Sequence, residues 1–427
     1  MNMALASAVI MLVLMFFKTP VFVSVLTAAV AYFLCNPGTQ NLLVVQRFIA
    51  GIESIPLLAI PFFVGMGVFM NKAGITRRIM AFASVCVGRL SGGLAQVNIL
   101  VSTFMGGISG SNLADAAMEA RTLVPEMERN GYSNEFSSVV TAFSSLITPL
   151  IPPGIGMIMY ASVTNVSVGK LFAGGLSVGI LLCMVEMLVT GFIAKRRGYK
   201  SLRTSRVTLH EFNDAFKGAL IPLLMPIVII GGVRIGAFTA SEAGAVGILV
   251  AVILGFAYKE LGFQDFIQGF KETAISSATI LCIIGAANAL SWTFTKEQVP
   301  QALTVAIVDL VPNKYLFLLL INLFLLVLGM LIEGNAITIV VAPLLFPIAK
   351  AFGINEIHFA MIFIFNLAIG AISPPMGTVM YVTCGETKCK IADFIKEALP
   401  YFAILFVVLL IITYVPIVST WLVNLIY

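Results

Sequence analysis

Long apolar runs divide this chain, and few charged residues interrupt them. A helix needs about 20 apolar residues to cross the roughly 30 Å hydrocarbon core of a bilayer. Runs of that order fall in two groups of five, at 3–34, 54–71, 76–98, 137–163 and 171–194, and at 219–258, 274–295, 302–330, 357–383 and 398–423. The pattern therefore predicts an all-α polytopic membrane protein with about five spans in each half.

The first run of each group is interrupted. Lys18-Thr19-Pro20 breaks the run 3–34, and Arg234 and Glu242, which could pair with each other, interrupt the run 219–258. Each run could form one long kinked span or two short ones. No small-residue cleavage site ends a short apolar core within the first 34 residues, so they are expected to be the first span and not a removed signal.

Basic residues set the predicted orientation, because Lys and Arg accumulate in cytoplasmic loops. The link between 383 and 398 carries three lysines, and one further loop carries Lys195, Arg196, Arg197, Lys200, Arg203 and Arg206. Five crossings in each half place both loops inside the cell and both termini outside.

Composition supports a lipid-facing surface. Hydrophobic residues make up 59% of the chain and charged residues 11%, whereas a soluble domain carries about 25% charged residues. The net charge of +5 does not suggest nucleic acid as a partner. The six cysteines form no CxxC pair or Cys/His cluster, so they are expected to be buried apolar residues. A GxxxxGK[ST] nucleotide loop is missing, which argues against ATP as the energy source.

Two motifs recur in the second half. PPGIGMIMY at 152–160 returns one residue shorter as PPMGTVMY at 374–381, so the first prolines stand 374 − 152 = 222 positions apart. GGISGSN at 106–112 falls on GMLIEGN at 329–335. With an odd number of crossings per half, repeats at 1–205 and 206–427 would have opposite orientation, which is common in secondary transporters.

Two segments do not resemble spanning helices. Residues 105–112 contain three glycines and three small polar residues, a poor helix interior. Charged residues follow from Asp115 onward, too soon for a second crossing. We therefore predict a re-entrant hairpin at about 90–130, and a second at about 320–352 that turns at residues 333–335. Such a tip must be buried in protein or line a cavity.

Paired prolines predict a broken helix in each half, at 137–163 and 357–383. Pro152-Pro153 and Pro374-Pro375 each remove backbone donors and block helical hydrogen bonds. The freed carbonyls could be satisfied by neighbouring helices or by a bound cation. The two breaks and the two hairpin tips occur in corresponding places, which favours the cation.

Several polar residues allow two interpretations. Ser109, Ser111 and Asn112 could ligate a cation or cap the arms of the turn. Asp115 could be functional, as membrane acids usually are, or could pair with Arg121. Glu333 is a functional candidate at the second tip. Glu186 has no evident partner, and neither histidine is placed as a proton relay: His210 and His358 lie in a loop and near a span start.

Two other classes of protein are alternatives. Gly107 to Gly110 fits the GxSG pattern of intramembrane serine proteases, with Ser109 as nucleophile. Such a serine needs a base within hydrogen-bond reach, and the sequence shows no Ser/Lys dyad or histidine at a span centre. A passive channel is the second alternative, but it would not need two symmetric broken helices facing two hairpins.

The chain resembles the large membrane subunit of the TRAP (tripartite ATP-independent periplasmic) transporters over nearly its whole length. The resembling residues are IPLLAIPFF at 55–63, GIT at 74–76, the turn at 107–117, Gly131-Tyr132, Pro149 to Gly154, VGKLF at 168–172, GIN at 353–355, His358-Phe359 and 366–377. The resemblance implies an elevator-type transporter of the bacterial inner membrane, driven by sodium and not ATP. It also implies a small four-helix membrane partner and a soluble periplasmic protein that delivers organic acids. In length and motifs the chain looks most like the sialic acid branch.

Within this resemblance, spans 3–71 and 219–295 are expected to form a fixed scaffold, and the hairpins and broken helices to hold the ligands. The predicted sodium-binding residues are Ser109, Gly110, Ser111, Asn112, Thr148, Pro149, Glu333, Gly334, Asn335, Gly370, Ile372 and Ser373. The predicted substrate-binding residues, between the tips, are Asn112, Pro152, Pro153, Asn335, Pro374 and Pro375.

Overall fold

The computed structural model describes residues 2–17, 19–36, 38–53, 55–203 and 207–427, and every regular element in these ranges is helical. Lys18, Ser54, Arg206 and the predicted repeat boundary at 205/206 lie outside the described residues. The first half contains α1 Asn2–Phe16, α2 Val21–Cys35, α3 Leu42–Ile52, α4 Ala59–Lys72, α5 Ile75–Val87, α6 Gly93–Ser109, α7 Asn112–Thr122, α8 Val124–Arg129, α9 Asn134–Ser144, α10 Ile155–Thr164 and α11 Val168–Arg196. Short 3₁₀ turns occupy Ile55–Leu58 and Thr148–Leu150.

The second half repeats this order with fewer and longer helices. These are α12 Leu209–Arg234, α13 Ala240–Ala257, α14 Phe263–Lys296, α15 Val299–Leu310, α16 Lys314–Leu331, α17 Gly334–Ala351, α18 Glu356–Ile372, α19 Thr378–Thr387, α20 Ile391–Tyr414 and α21 Ile417–Ile426.

The helices are suited to a membrane. Among the described residues, six helices (α11, α13, α14, α16, α17 and α20) are long and apolar enough to cross, and up to nine spans result if each of three bent helix pairs counts as one. The bends are 72° between α4 and α5, 41° between α9 with its 3₁₀ turn and α10, and 43° within α12. The chain is therefore a multi-pass membrane protein, and five spans per half stays a prediction.

The two interrupted runs each contain two helices. Pro20 precedes α2, where its missing N–H leaves no bond unmade. Thr239 begins α13 with a capping box: its N–H donates to Glu242 Oε2 (2.6 Å), and the Glu242 N–H donates to Thr239 Oγ1 (3.3 Å). Glu242 thus caps a helix, and its expected pairing with Arg234 is wrong.

Besides the interrupted runs and the predicted broken helices, three predicted spans cross a boundary between α-helices, and one of these, 398–423, runs from α20 into α21. The run 76–98 covers all but the first residue of α5 and the start of α6, which are separated by a turn with Gly92 at a φ of 71°. The run 302–330 covers α15 and most of α16, and Asn313 caps α16 by accepting N–H bonds from Tyr315 and Leu316. Hydropathy alone does not detect a turn made of apolar and small residues.

The internal repeat extends to whole elements. α7 and α17 begin at Asn112 and Gly334, and α9 and α18 begin at Asn134 and Glu356, each pair 222 residues apart (334 − 112, 356 − 134). The same register relates α6 to α16, α10 to α19 and α11 to α20, within one residue. The sequence motifs are therefore parts of one long structural repeat.

The two repeats interlock. In each repeat the incoming hairpin arm packs on the first part of its own broken helix, α6 on α9 and its 3₁₀ turn, and α16 on α18. The second part of each broken helix packs on the returning arm of the other hairpin, α10 on α17 and α19 on α7. α2, α3, α4, α13 and α14 pack mainly on one another, and α1 packs on α2. We call this second group the scaffold group, because it falls almost entirely within the segments 3–71 and 219–295. That it stays fixed in the bilayer remains a prediction.

Candidate functional site

The first hairpin turns within two residues. α6 ends at Ser109, Gly110 has a φ of 60°, and Ser111 caps α7 by accepting the N–H of Ala114 (3.4 Å). Two observations require glycine at position 110. Its φ is in the left-handed region, and a Cβ there would lie 2.5 Å from the carbonyl oxygen of Pro153. Gly110 is buried, as a re-entrant tip requires.

The second hairpin turns at the corresponding place with a different cap. α16 ends at Leu331, and Glu333 caps α17 by accepting the N–H of Ala336 on Oε2 (3.1 Å). Judged by helix ends, Glu333 holds the position that Ser111 holds in the first repeat. A carboxylate at a helix N-terminus is favoured by the helix dipole.

Each broken helix lies directly against its hairpin. A Cβ on Gly106 would lie 3.0 Å from Thr148 Cα, and a Cβ on Gly370 would lie 2.5 Å from Gly329 Cα. The backbone of each break is therefore in contact with the incoming arm of its own hairpin, α6 or α16. The hairpin and the break in one repeat thus form a single unit.

The breaks leave backbone carbonyls without their helical donors. In a continuous helix, residues 152 and 153 would donate to the carbonyls of Thr148 and Pro149, but both are prolines. In the second repeat Pro374 and Pro375 have the same effect, although Gly370 O accepts the N–H of Ser373 instead (3.0 Å). Both breaks therefore offer carbonyl oxygens close to a tip.

One cavity of about 200 Å³ joins the two units. Four helices begin on its wall, α7, α10, α17 and α19, so four helix N-termini with partial positive charge converge on it. The lining residues are Gly110, Ser111, Asn112, Leu113, Pro149, Ile155, Gly156, Ile280, Glu333, Gly334, Asn335, Thr338, Ile364, Leu367, Ala368, Ala371 and Thr378.

The cavity contains many of the predicted residues. Both tips line it, together with Pro149 from the first break. The other predicted residues do not line it, namely Ser109, Thr148, Pro152, Pro153, Gly370, Ile372, Ser373, Pro374 and Pro375. The sequence did not indicate Ile280, which comes from α14 and brings the scaffold group to the cavity. Thr338 and Thr378 were also missed, because a single threonine in an apolar helix carries no pattern.

Asp115 belongs to the first site and not to a surface ion pair. It is 2% exposed and accepts a hydrogen bond from Thr148 Oγ1 on Oδ2 (2.8 Å). Arg121 instead binds Glu386 of α19, with Nε 2.7 Å from Oε2. The possible Asp115–Arg121 pair is therefore wrong.

The oxygens at the first tip suit a hard cation. The Thr148 hydroxyl is bonded to the Asp115 carboxylate, and the Ser109 hydroxyl belongs to the adjoining turn. Hard cations prefer oxygen ligands of this kind. Among the described residues, no group of three or more His, Cys, Asp or Glu has the geometry of a metal site. The donors at this tip are all oxygens, which suit hard cations better than soft transition metals.

Behind this site lies a buried polar layer that the sequence did not predict. Ser102 Oγ donates toward both oxygens of Glu119 (2.8 and 2.7 Å) and lies 2.9 Å from Ser144 Oγ. Ser144 Oγ donates to Asn98 Oδ1 (3.0 Å), and Asn98 Nδ2 donates to Thr141 Oγ1 (2.7 Å). The layer joins α6, α7 and α9, and only the spacing of polar residues within apolar runs could have indicated it.

Both histidines are engaged with other partners. His210 Nδ1 lies 2.9 Å from Asp214 Oδ2 on an exposed face. His358 bridges α18 to α21, with Nδ1 3.0 Å from Ser419 Oγ. Neither can act as the base that a serine nucleophile at 109 requires.

These features define a class: a helical membrane transport protein with two hairpins and two broken helices around one cavity. Residues 8–418 match the model of a protein family described as "Tripartite ATP-independent periplasmic transporter, DctM component". The chain therefore belongs to the TRAP transporter family as its large permease component, a multi-pass protein of the bacterial inner membrane. It is a permease subunit and not an enzyme, and the family implies a small membrane subunit and a periplasmic binding protein.

Curated relatives agree over almost the full length. The chain is 38% identical over 404 residues to the sialic acid TRAP transporter large permease protein SiaM of Vibrio cholerae, covering 94% of each protein. It is 35% identical over 400 residues to the C4-dicarboxylate large permease protein DctM of Pseudomonas aeruginosa, covering 93% of each. The 2,3-diketo-L-gulonate large permease protein YiaN of Escherichia coli is 32% identical, with 87% of each covered.

A solved structure shares the fold. The YdaH transporter of Alcanivorax borkumensis matches with a TM-score of 0.61 and 16% identity, covering 99% of this chain and 98% of that one. The likeness confirms an all-helical transporter fold.

Proposed function

We propose that this chain is the large membrane subunit of a sodium-coupled importer of an organic acid, with sialic acid the favoured substrate. The observation that supports this most is the convergence of four helix N-termini and two hairpin tips on one cavity. N-terminal ends favour a carboxylate, while the carbonyls freed at the breaks favour a cation. A cation and an organic anion bound side by side would stabilise each other in a low-dielectric slot, which couples their transport.

The relatives support an anionic substrate. They are named for sialic acid, C4-dicarboxylate and 2,3-diketo-L-gulonate, all of which carry a carboxylate at neutral pH. Sialic acid is favoured because SiaM is 38% identical over nearly the whole chain. Asn112 and Asn335, one at each tip, line the cavity and supply amide groups to hydrogen-bond a polar acid.

The partners follow from the same family. We expect a small four-helix membrane subunit to pack on the scaffold helices and a periplasmic binding protein to deliver the acid. The sialic acid permease SiaT of Haemophilus influenzae supports a second membrane component, because this chain covers only 67% of that longer permease.

An elevator-type movement would carry the two hairpin units across the scaffold. Small residues lie where the groups meet: a Cβ on Gly67 of α4 would lie 2.9 Å from Ile108 O, and a Cβ on Gly107 would lie 2.7 Å from Pro226 Cγ of α12. Smooth surfaces of this kind let two bodies slide past each other.

The test is uptake into proteoliposomes that contain this chain and its small subunit, with the binding protein added outside. Inward sodium gradients should drive accumulation of radiolabelled sialic acid, and replacement of sodium by potassium should abolish it. Accumulation above the outside concentration distinguishes this function from a passive channel, which only equilibrates its solute. Uptake that continues unchanged in potassium would contradict sodium coupling, and uptake of C4-dicarboxylate alone would contradict the sialic acid assignment.

A further inference from the structure

A further cavity, of about 420 Å³, forms a groove beside the incoming arm of the second hairpin. Its walls come from α16 and α17 of that hairpin, from α15, and from α1 and α14 of the scaffold group. All seventeen of the described residues that line it are apolar. A polar solute would lose its hydrogen bonds there, whereas hydrocarbon would not. The groove is therefore suited to an apolar ligand.

The groove has the depth of one leaflet of a bilayer. Along α16 its wall runs from Phe317 to Leu328, eleven residues further (328 − 317), which is about 16 Å of helix. The hydrocarbon core of a bilayer is about 30 Å thick, so one leaflet contributes about 15 Å. One acyl chain that enters at the membrane surface would thus reach the inner end of the groove.

The outer end of the groove has the residues of a membrane surface. Lys314 begins α16 and lies on the groove side of that helix, because Phe317 and Ile321 follow it at positions i+3 and i+7. Tyr315 is 56% exposed, and its ring lies 6.2 Å from that of Tyr414, as in the aromatic belts at bilayer interfaces. None of the ion pairs between described residues involves Lys314. Its ammonium group is thus placed to meet a lipid phosphate.

In the first repeat, aromatic rings fill the corresponding space. Phe82 of α5 contacts Phe104 of α6 and both Phe212 and Phe216 of α12, at 5.8–5.9 Å between ring centroids. Phe82 is 7% exposed, whereas Val305, at the corresponding place in α15 (305 − 82 = 223), is 63% exposed. α5 packs on the incoming arm α6, while α15 packs on the returning arm α17. The fold therefore closes this space in the first repeat and leaves it open in the second.

The groove leads toward the second hairpin tip. Met11 and Leu12 of α1 and Leu328 of α16 line both the groove and a smaller gap of about 20 Å³ beyond it. That gap is also lined by Ile332, which adjoins Glu333 at the tip. An acyl chain in the groove would thus lie between the scaffold group and the arm that carries the tip.

We propose that this groove binds a phospholipid, with one acyl chain between α1, α15 and the second hairpin and an anionic headgroup on Lys314. The bilayer supplies such a ligand, and an empty space of this size would forfeit the dispersion contacts of its lining. The bound lipid stabilises the arrangement in which α15 packs on α17, and so favours one position of the second hairpin against the scaffold group. The lipid site does not depend on the proposed sodium coupling. Only its effect on uptake depends on the transport function proposed above.

The headgroup is tested by native mass spectrometry on the complex of this chain with its small subunit. The complex should retain one phosphatidylglycerol more firmly than one phosphatidylethanolamine. Lys314→Gln should raise the phosphatidylglycerol concentration for half-occupancy roughly fivefold, the attraction of about one surface lysine for an anionic lipid. Lys217→Gln, which removes an exposed lysine from α12, is the matched control and should bind like the wild type. Equal retention of both lipids, unchanged in Lys314→Gln, would overturn the headgroup assignment.

The acyl chain is tested by filling the groove from opposite walls. Leu320→Trp and Leu344→Trp each place an indole in the groove, and each should lose the retained lipid. Leu319→Trp is the matched control, because Leu319 is 48% exposed and Leu320 45%, but Leu319 does not line the groove. A wild-type complex that retains no more lipid than the two filled variants would overturn the site. That result is also the one expected if a helix of the small subunit covers the groove.

Two further measurements use the same variants. Phosphatidylglycerol should raise the unfolding temperature of the wild type and of Leu319→Trp, but not of the filled variants, because a ligand of the native state stabilises it. In proteoliposomes, a larger share of phosphatidylglycerol should slow uptake by the wild type and leave Leu320→Trp unchanged. Equal lipid dependence of uptake in both would overturn the effect on the hairpin. The binding measurements judge the site itself, whatever the complex transports.

Discussion

The two repeats share a backbone arrangement but differ in what fills it. In the first, Thr148 faces Gly106 and uses its hydroxyl to bind Asp115, and a polar layer lies behind. In the second, Gly370 faces Gly329 backbone to backbone. The difference shows that hairpin and break are set by backbone geometry, while the chemistry of each site is set by a few side chains.

The layer behind the second break is neutral. Asn366 Nδ2 donates to Asn322 Oδ1 (2.8 Å), and Asn322 Nδ2 donates to Thr413 Oγ1 (2.9 Å). His358 Nε2 adds a contact to Thr413 O (3.2 Å). This network joins α16, α18 and α20 without a buried carboxylate, so the second repeat is suited to hold structure and the first to respond to charge.

The largest effect on stability and uptake should come from placing the threonine of the first repeat, Thr148, at the corresponding position of the second repeat, Gly370. Gly370→Thr places a Cβ 2.5 Å from the backbone of Gly329, and neither backbone can move away in a packed core. The expected cost is at least about 1–3 kcal/mol. The unfolding temperature of the detergent-purified variant should be several degrees lower than that of the wild type, and uptake should be lost.

The control for this variant is Gly385→Ala, since a Cβ there meets nothing within 4 Å. It should unfold and transport like the wild type. A wild-type unfolding temperature for Gly370→Thr would show that the two repeats tolerate the same side chains.

Removing the hydroxyl that distinguishes the first repeat should have an intermediate effect. Thr148→Val keeps the shape but removes the bond to Asp115, and a bond to a charged group contributes about 1.5–3 kcal/mol. The sodium concentration for half-maximal uptake should rise by roughly tenfold or more, with normal amounts of protein in the membrane. Thr148→Ser retains the hydroxyl and should stay near wild type. Equal sodium curves for both variants would remove Thr148 from the cation site.

The smallest effect should come from an ion pair that joins the repeats. The hydrogen bond from Arg121 of α7 holds the pKa of Glu386 of α19 below its usual value. The pair is solvent-exposed, so its contribution is small. Glu386→Gln should lower the unfolding temperature slightly at neutral pH.

The sign of the pH dependence follows from the lowered pKa. The contribution of Glu386 is fully present above its unfolded pKa and is lost as the pH falls through its folded pKa. The difference between wild type and variant should therefore vanish in acid. A difference that grows on acidification would contradict this pairing.

Much of the fold could be predicted from local signals. Paired prolines act on the carbonyls three or four residues before them, so both breaks were predicted from the sequence alone. The glycines at 106, 107 and 110 likewise indicated the first turn. The runs 76–98 and 302–330 were misassigned because an apolar turn has the same hydropathy as a helix.

The rest of the site depends on distant contacts. Nothing near Asp115 in the chain indicates that Thr148 binds it, and Arg121 was the nearer basic residue. Glu119 and Glu186 lie on α7 and α11, and nothing near either residue in the chain indicates that both are buried. Ile280 reaches the cavity from α14, which is distant in the chain from both hairpin tips.

The exchange of packing partners between the repeats has a consequence for how the protein is made. Translation delivers α7 and α10 well before α17 and α19, which complete their packing. The newly inserted first half must therefore wait in the bilayer with two unmatched faces until the ribosome has produced the end of the second hairpin. Membrane proteases and chaperones would encounter this half-assembled state in every molecule. If the two halves are expressed as separate chains, each should escape degradation only when the other is present.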